Sequence, residues 1–439
     1  MIHASTTKYA GNKAMDSPMS LELLSLSTTR LRPPSVATAG GSSTPSPAWN
    51  RYERTDHLSR PTLADSSPSD IFRPSAFDPS LQSVVMNRTR SEPEAFQYDA
   101  EVDPGEKRHI RYEVGETYLG DPIEIPITVI NGEHDGKTVF FSAAIHGDEL
   151  NGVKVVQEIA NRYSPQNLHG TLVCLHVCNI PAYEAQQRYT PIYDQDMNRS
   201  FPGKERGNTT DRMAYEIYHR FVAQCDLGID FHTSTRNRTT IYHARADLTN
   251  PDVERLVRAF ATNVVLYGEG DDGALRSVAT ADGIPTITIE MGRAHRFQPV
   301  LIEKALEGVE SVLAEYEFLP GEPVYWPGWY KTTAADSTKR WLRADTGGLV
   351  EMEWEPYPLV HEDETICTIT NHFKTEEHVV TAPFDGLIVG ALENPVAAPG
   401  HPLCHIVRLD RVTLTEIERE IRQGEFDGYR VHGDFWANE

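Results

Sequence analysis

Short apolar runs alternate with amphipathic stretches through the middle of the chain. Six runs are rich in β-branched residues and end at turn residues, which predicts the strands KTVFFSAAI, GTLVCLHVCNI, LGIDFHTS, TTIYHA, TNVVLYG and IPTITIEMG. Between them, apolar residues recur every three or four positions, which predicts helices in NGVKVVQEIANRY, DRMAYEIYHRFVAQC and PDVERLVRAF. Strands that alternate with helices are typical of an α/β domain with a mainly parallel sheet, here expected over residues 96–320.

The pattern changes after residue 320. Residues 322–411 contain short β-like segments and turn residues with little helical periodicity, which predicts a separate small all-β domain. Residues 412–439 are predicted to form a C-terminal helix, TLTEIEREIRQ, followed by a polar tail. The expected N-cap of that helix is Thr413 or Thr415.

The first 95 residues differ from the rest in composition. They are rich in Ser, Thr and Pro and poor in apolar residues, which predicts a disordered low-complexity segment. They carry a net charge of +1, whereas residues 96–439 carry −24, which together give the overall −23. This change in charge is also compatible with a native start at Met86, in which case the upstream stretch is not part of the protein.

The acidity of residues 96–439 limits the partners that we expect. So negative a region repels nucleic acid and anionic membranes, and no apolar run is long enough to span a bilayer. The region has only eight lysines, and acid-rich, lysine-poor surfaces suit solubility in high salt, so we expect a halophilic source. The five cysteines form no CxxC pair, which indicates buried reduced thiols and a cytoplasmic protein. The oligomeric state is not specified by the sequence.

Two of the predicted strands end at a histidine. KTVFFSAAI runs directly into His146 and Glu149, and LGIDFHTS carries His232 at its carboxyl end. The carboxyl ends of strands in an open α/β sheet meet at the edge where ligands bind. Two His and one Glu are a typical zinc ligand set that leaves a position open for water, so we predict one zinc ion at these three residues. Asp230 is expected either to bond to a ligand histidine or to cap a nearby backbone group.

A further carboxylate, Glu290, ends the predicted strand IPTITIEMG. Burying a carboxylate next to apolar residues costs folding free energy unless the carboxylate has a partner or a functional role. Two interpretations remain open at this point: Glu290 is the base that moves protons at the metal site, or it forms an ordinary ion pair with Arg293 or Arg296. We expect Glu149 to lie in the first turn of the helix that follows His146.

A turn-rich stretch, QQRYTPIYDQDMNRSFPG, lies between the two histidine-bearing strands. It contains Arg188, Asn198 and Arg199. In a protein of strongly negative charge, arginines near a pocket are expected to hold an anionic substrate, because the guanidinium fork matches a carboxylate bidentately. The alternative is that these arginines are simply solvated.

These motifs together resemble the succinylglutamate desuccinylase/aspartoacylase family, whose members have a zinc carboxypeptidase-like fold. The resemblance rests on HGDE at residues 146–149, on DMNRSFPG at residues 196–203, and on the strand-final His232 and Glu290. It covers roughly residues 100–411 and does not extend to the first 95 residues. It implies an α/β fold with a mixed or mainly parallel sheet flanked by helices, in which His146, Glu149 and His232 bind zinc.

The resemblance also implies a role for each remaining residue. It implies that Glu290 is the general base and later the acid, that Asn198 and Arg199 hold the substrate's carboxylate, and that Arg188 polarises the scissile carbonyl. The implied function is a zinc-dependent amidohydrolase, with one zinc ion per chain, that deacylates a small N-acyl amino acid or related amine. Succinyl, acetyl-diamino acid and acetylaspartate substrates stay open. The alternatives are a metallocarboxypeptidase and a catalytically silent binding protein of the same fold.

The predicted all-β domain resembles a biotinyl/lipoyl-type barrel-sandwich. Attachment of such a group requires a lysine at the tip of a hairpin between apolar residues, whereas Lys374 lies in a polar context. We therefore expect an accessory domain that carries no lipoyl group and walls one side of the cleft. The glycine-rich GEGDDG at residues 268–273 has no strand–helix phosphate context and is interpreted as an acidic surface turn.

Overall fold

The computed structural model describes residues 92–262, 264–324, 331–332, 339–353 and 359–423. The predicted disorder of residues 1–95 falls almost entirely outside the described residues. So do the possible start at Met86 and the polar tail after residue 423.

The chain folds into alternating strands and helices followed by a run of strands. The described strands are β1 (Phe96–Gln97), β2 (Glu101–Val102), β3 (Lys107–Glu116), β4 (Pro122–Asn131), β5 (His134–Ala143), β6 (His169–Leu175), β7 (Leu227–His232), β8 (Arg238–Thr240), β9 (His243–Ala246), β10 (Val265–Tyr267), β11 (Thr286–Glu290), β12 (Lys331–Thr332), β13 (Lys339–Arg343), β14 (Gly348–Met352), β15 (Leu359–Val360), β16 (Thr365–Thr370), β17 (Glu377–Thr381), β18 (Gly386–Leu392), β19 (Val396–Ala397) and β20 (Pro402–Arg408). The described α-helices are α1 (Asn151–Arg162), α2 (Ile180–Glu184), α3 (Thr209–Ile217), α4 (Pro251–Phe260), α5 (Leu275–Ala281), α6 (Pro299–Glu315) and α7 (Arg411–Gln423).

The α/β domain is built on one large mixed sheet. Its described strands follow the order β12-β10-β9-β11-β7-β5-β6-β4-β3. The central strands β11, β7, β5 and β6 run parallel to one another. Strand β9 pairs antiparallel with β11, β4 pairs antiparallel with β6, and β3 pairs antiparallel with β4. The α/β class and the mixed sheet are thus as predicted, and the parallel strands carry their carboxyl ends to one edge.

Both faces of the central strands are buried, which explains their continuous apolar sequences. On β5, Phe141 packs into a core with α1, α4 and α6, while its neighbour Phe140 packs into a second core with α3 and α5. Successive side chains of a strand point to opposite faces, so the helices cover the sheet on both sides. All six residues of β7 are buried.

Local signals place the helix ends. The predicted helices correspond to α1, α3 and α4, and α3 continues into a π-helical turn at Tyr218–Val222. Asn250 caps α4, because its side chain accepts from the N–H groups of Asp252 and Val253. The predicted cap of α7 is wrong. That helix begins earlier, at Arg411, and the side chain of Asp410 accepts from the backbone N–H groups of residues 412 and 413.

The all-β segment consists of two antiparallel sheets, which we call the β domain (the described part of residues 339–408). One sheet contains β13, β20, β18 and β15, and the other contains β17, β16, β14 and β19. A separate buried cluster, which includes Ile366, Ile369, Leu403 and Ile406, fills the space between them. Strand β8 leaves the α/β domain and pairs with β18, so the two domains share one sheet.

Other sequence predictions concern single residue types. All five cysteines are free and buried, as expected. Lys374 lies in the turn between β16 and β17, next to the exposed Phe373 on one side and Thr375 on the other. Within the described residues, none of the helices combines the length and apolarity that a membrane crossing requires.

Candidate active site

The first two predicted ligands follow strand β5 on a tightly packed loop. His146 and Glu149 lie before α1, so the prediction that Glu149 belongs to the first helical turn is wrong; its N–H bonds to the His146 carbonyl at 3.2 Å. Gly147 lies against α2, and a Cβ atom there would lie 2.0 Å from the carbonyl carbon of Ala182. A glycine is therefore required to bring this loop against α2.

The structure brings the three predicted ligands together. Nδ1 of His146 lies 2.7 Å from one carboxylate oxygen of Glu149, and Nδ1 of His232 lies 2.9 Å from the other. The two Nδ1 atoms are 3.2 Å apart. All three side chains are buried, with at most 4% of any of them exposed. Among the described residues they form the one group of this kind whose donor atoms converge.

The outer nitrogen of each histidine ring is held by a carboxylate. Nε2 of His146 donates to Asp196 at 3.1 Å, and Nε2 of His232 donates to Asp230 at 2.7 Å. Asp230 also accepts from the hydroxyl of Ser142 at 2.8 Å. Asp230 thus bonds to a predicted ligand histidine, which was one of its two expected roles. These bonds leave both Nδ1 lone pairs directed at the same point.

Charge in the cluster favours a cation. Burial acts against ionisation of Glu149, but His146 and His232 hold the pKa of this carboxyl well below its usual range. Burial likewise opposes protonation of His232, but Asp230 and Glu149 raise the pKa of its ring well above the usual value. Burial also opposes the ionisation of Asp196, and its hydrogen bond to His146 lowers the pKa of that carboxyl. The carboxylates of Glu149, Asp196 and Asp230 therefore surround the two imidazole rings.

The donor set fits a zinc ion. The two Nδ1 atoms face each other across 3.2 Å, and when both rings are neutral their lone pairs repel unless a positive charge lies between them. Tetrahedral zinc holds nitrogen ligands at about 2.0–2.1 Å, which separates two of them by roughly 3.3 Å, close to the observed spacing. Imidazole and carboxylate suit zinc, and the three residues leave a fourth position open towards the cavity.

Arg188 lies beside the cluster, which sequence reasoning anticipated. Its Nη1 atom is 3.2 Å from Nδ1 of His146 and 3.4 Å from the carboxylate of Glu149. Its Nη2 atom donates to Asp196 at 3.0 Å. The partner Asp196 was not assigned a role from the sequence, because an acid in a loop gives no signal of what it contacts.

Glu290 lies on β11, the strand next to the one that carries His232. In the parallel pair of β11 and β7, Glu290 is the register partner of His232. Its carboxylate accepts from Nε of Arg245 at 2.9 Å, so the alternative of an ion pair with Arg293 or Arg296 does not describe this contact. Arg293 instead pairs with Glu393 of the β domain. Glu290 lines the same cavity as the three predicted ligands.

Asn198 and Arg199 form another part of the wall. The amide oxygen of Asn198 accepts from the N–H of Leu275 at 2.9 Å. Arg199 pairs with Asp271, and its Nη1 donates to the Asn198 carbonyl at 2.6 Å. Asp271 belongs to the GEGDDG segment, which was interpreted as a surface turn. Residues 269–272 are exposed, as that interpretation expects, and residues 268–271 also line the cavity.

The cavity has a volume of about 860 Å³ and is closed on one side by the β domain. The β domain contributes the lining residues Lys339, Trp341, Val389, Gly390 and His405. This confirms the expectation that the β domain walls the cleft. A cavity of this size suits a small molecule.

Residues 135–316 match the sequence model of the succinylglutamate desuccinylase/aspartoacylase catalytic domain. This region belongs to the succinylglutamate desuccinylase/aspartoacylase family. The match contains His146, Glu149, Arg188, Asn198, Arg199, His232 and Glu290.

The chain is also similar to individual proteins of known sequence or structure. An N-alpha-acetyl-L-2,4-diaminobutyric acid deacetylase of Halomonas elongata is 26% identical over 208 residues, which cover 46% of this chain and 60% of the relative. A succinylglutamate desuccinylase structure from a Silicibacter species is 22% identical, with a TM-score of 0.64, and covers 70% of this chain and 97% of its own.

A product-bound ectoine utilization protein of Ruegeria pomeroyi gives a TM-score of 0.62 at 23% identity, over 69% of this chain and 95% of its own. At these identities the solved structures establish the shared fold.

Proposed function

We propose that this chain is a zinc-dependent amidohydrolase that deacylates a small N-acyl amino acid or a related N-acylated amine. The observation that carries the proposal is the buried convergence of His146, Glu149 and His232, with Glu290 in register beside them and a cavity in front. The family membership and the name of the Halomonas relative, a deacetylase, support the same reaction class.

The metal would be held by His146, Glu149 and His232, one ion per chain. When bound, zinc lowers the pKa of a coordinated water to about 7 and polarises a carbonyl. Asp196 and Asp230 fix the histidine rings by accepting from their Nε2–H groups, so that the Nδ1 lone pairs face the ion.

Glu290 carries the proton in the proposed reaction. Its carboxylate takes a proton from the attacking water, and the water oxygen bonds to the amide carbonyl carbon. The same proton then passes from Glu290 to the amine nitrogen as the C–N bond breaks. The remaining hydroxyl proton of the new carboxylic acid passes to the amine as well, which gives a carboxylate and an ammonium group. Arg245 holds the carboxylate of Glu290 at 2.9 Å and orients it.

The guanidinium groups are proposed to handle negative charge on the substrate. Arg188 lies next to the cluster and would stabilise the oxyanion that develops on the carbonyl oxygen, a contribution worth roughly 3–4 kcal/mol for such a donor. Asn198 and Arg199 on the cavity wall would bind the carboxylate of the amino acid. A cytoplasmic location fits the five free buried thiols.

The test is metal analysis of the full chain combined with a substrate panel of N-acetyl amino acids, N-succinyl amino acids and short peptides. We expect about one zinc ion per chain and hydrolysis of at least one N-acyl amino acid, but slow or no hydrolysis of the peptides. Preferential release of C-terminal residues from peptides would instead indicate a carboxypeptidase. Zinc binding without hydrolysis of any member would favour a silent binding protein.

A further inference from the structure

Arg199 already has a carboxylate partner within the protein. Its Nη2 atom pairs with Asp271, and its Nη1 atom donates to the Asn198 carbonyl at 2.6 Å, so both terminal nitrogens of the guanidinium are engaged. Asp271 belongs to the acidic turn, our name for residues 268–273 between β10 and α5, and Arg199 and Asp271 both line the cavity. A carboxylate of the protein therefore competes for the guanidinium that is proposed to bind a carboxylate of the substrate.

Hydrogen bonds and a close backbone contact hold the acidic turn beside Arg199. At its start, the Gly268 carbonyl accepts from Nη1 of the buried Arg276 at 3.0 Å. At its end, the Gly273 carbonyl accepts from the Phe201 N–H at 3.0 Å. A Cβ atom at Gly273 would lie 2.4 Å from the Arg199 carbonyl oxygen, so this approach requires a glycine. Both ends of the acidic turn are thus fixed, which keeps its acids within reach of Arg199.

The contact between Asp271 and Arg199 is open to solvent. Residues 269–272 at the tip of the acidic turn are exposed, and so are 68% of the Asp271 side chain and 43% of the Arg199 side chain. Ion pairs of this kind stabilise a protein little, because water screens both charges and two side chains lose conformational freedom. Rotation of the Asp271 side chain is enough to break the pair. A carboxylate from solution can therefore replace Asp271 at little cost in free energy.

Asp271 differs from the carboxylates that hold other residues of the site in place. Asp196 and Asp230, which accept from the histidine rings of the predicted ligands, have only 17% and 0% of their side chains exposed. Burial restricts such a carboxylate and strengthens its hydrogen bonds. The exposed Asp271 lacks that support, so it is poorly suited to orient Arg199. Competition with the substrate is the role that fits its position.

We propose that the acidic turn is a self-inhibitory latch: Asp271 occupies Arg199 when no substrate is bound and is displaced by the carboxylate of the substrate. This inference rests on the proposed function, because it takes Arg199 as the group that the substrate must reach. The exchange keeps the charge of Arg199 paired, since one carboxylate replaces another. The latch raises the substrate concentration that fills the site and leaves the bond-breaking step unchanged.

Substitution of Asp271 gives opposite results for the latch and for a supporting role. Asp271→Asn removes the competing charge, so KM for the best N-acyl amino acid of the panel should fall about two- to fivefold, the usual worth of an exposed ion pair, with kcat unchanged. Asp272→Asn is the matched control, because Asp272 is the next exposed acid of the turn and lies outside the cavity lining; its KM should stay unchanged. A KM that rises or stays constant in Asp271→Asn, or that falls equally in the control, would overturn the latch.

A double substitution tests whether Arg199 is the residue that Asp271 occupies. Arg199→Gln removes the positive charge for which the two carboxylates compete. Adding Asp271→Asn to Arg199→Gln should therefore no longer lower KM, whereas two independent effects would add. A fall of about two- to fivefold in both backgrounds would refute the pairing as the cause.

Calorimetric binding separates the failure of the latch from that of the proposed function. The zinc-loaded full chain with Glu290→Gln, which is expected not to turn over, is titrated with N-acetylglycine and with its uncharged analogue N-acetylglycinamide. Adding Asp271→Asn should strengthen the binding of N-acetylglycine about two- to fivefold and leave that of the amide unchanged. Hydrolysis of no substrate of the panel would count against the proposed function alone. Unchanged, weaker or undetectable binding of N-acetylglycine in the Asp271→Asn chain would refute the latch in either case.

Discussion

Asp230 accepts a hydrogen bond from Nε2 of His232 at 2.7 Å, and its second oxygen accepts from the hydroxyl of Ser142 at 2.8 Å. Asp230 and Ser142 are register partners on the adjacent parallel strands β7 and β5. Ser142 on β5, the strand that leads to His146, therefore helps to orient the ring of His232 through Asp230.

Asp230→Asn should weaken zinc binding. The amide is a poorer acceptor for the ring N–H, so the Nδ1 lone pair is less basic and the ring less fixed, which typically reduces metal affinity by about 10- to 100-fold. Competition with a chelator measures the affinity. Asp226→Asn is the matched control, because Asp226 is exposed just before β7 and accepts from the Thr138 N–H at 2.7 Å. An unchanged affinity in Asp230→Asn would remove this residue from the support of the site.

Glu290→Gln should keep zinc and lose turnover. The amide cannot take a proton from water, and general acid–base catalysis is worth about 10²- to 10⁴-fold. Zinc content and kcat on the best substrate of the panel are the measurements. Glu303→Gln, on the exposed face of α6, makes the same chemical change away from the cavity and should leave both unchanged. A Glu290→Gln enzyme with normal kcat would show that another group moves the proton.

Gly147→Ala should disturb the site through the backbone. The new methyl group would meet the carbonyl carbon of Ala182 at 2.0 Å, so the loop with His146 and Glu149 must move. We expect a loss of about 1–3 kcal/mol in the free energy of unfolding of the apo protein and weaker zinc binding. Gly115→Ala is the control, since the nearest atom to a Cβ there is 4.0 Å away. Equal effects of the two substitutions would mean that the close contact does not constrain the loop.

Stability should fall in mild acid because of His176. Its Nε2 lies 2.8 Å from the hydroxyl of Thr128, and burial, together with the nearby His109, lowers the pKa of His176 from 6.5 to about 4. The folded state therefore resists a proton that the unfolded chain binds. The stabilisation is complete above pH 6.5 and declines as the pH falls towards 4, by at most about 3 kcal/mol.

Urea unfolding at several pH values checks this dependence. Between pH 6.5 and 4, His176→Gln should lose less stability than the unsubstituted chain does. His372→Gln, at an exposed turn, should keep the full dependence. Parallel curves for the chain and for His176→Gln would contradict the assignment.

The strands that could be predicted from sequence are those buried on both faces. Strand β7 is buried at every residue and β5 at its last five, so each reads as a continuous apolar run. Strands β3 and β4 were not predicted, although β4 is buried at its last five residues. On β3 the buried Tyr112 and Val114 alternate with charged, exposed residues, because one face of this edge strand meets solvent. An alternating pattern of this kind contains no continuous apolar run, so it does not stand out as a buried strand.

Strand topology alone predicts one part of the candidate site. His146, His232 and Glu290 follow strand ends, and parallel strands deliver those ends to one edge. Asp196 and Arg245 were not assigned roles, although each bonds to one of these residues. Their positions depend on the path of a loop and on an antiparallel neighbour strand, neither of which leaves a local sequence signal. The cavity contact of the GEGDDG segment was not predicted for the same reason.

Strand β8 starts six residues after His232 and is completed by β18 of the β domain. A polypeptide shortened to its α/β part would expose the unpaired edge of β8, and such an edge promotes self-association. It would also remove the hydrogen bonds that the N–H groups of Glu393 and Asn394 donate to the Asn237 carbonyl. Engineering by domain deletion or domain exchange is therefore a poor route to altered selectivity, and point substitutions that keep the shared sheet intact are the better one.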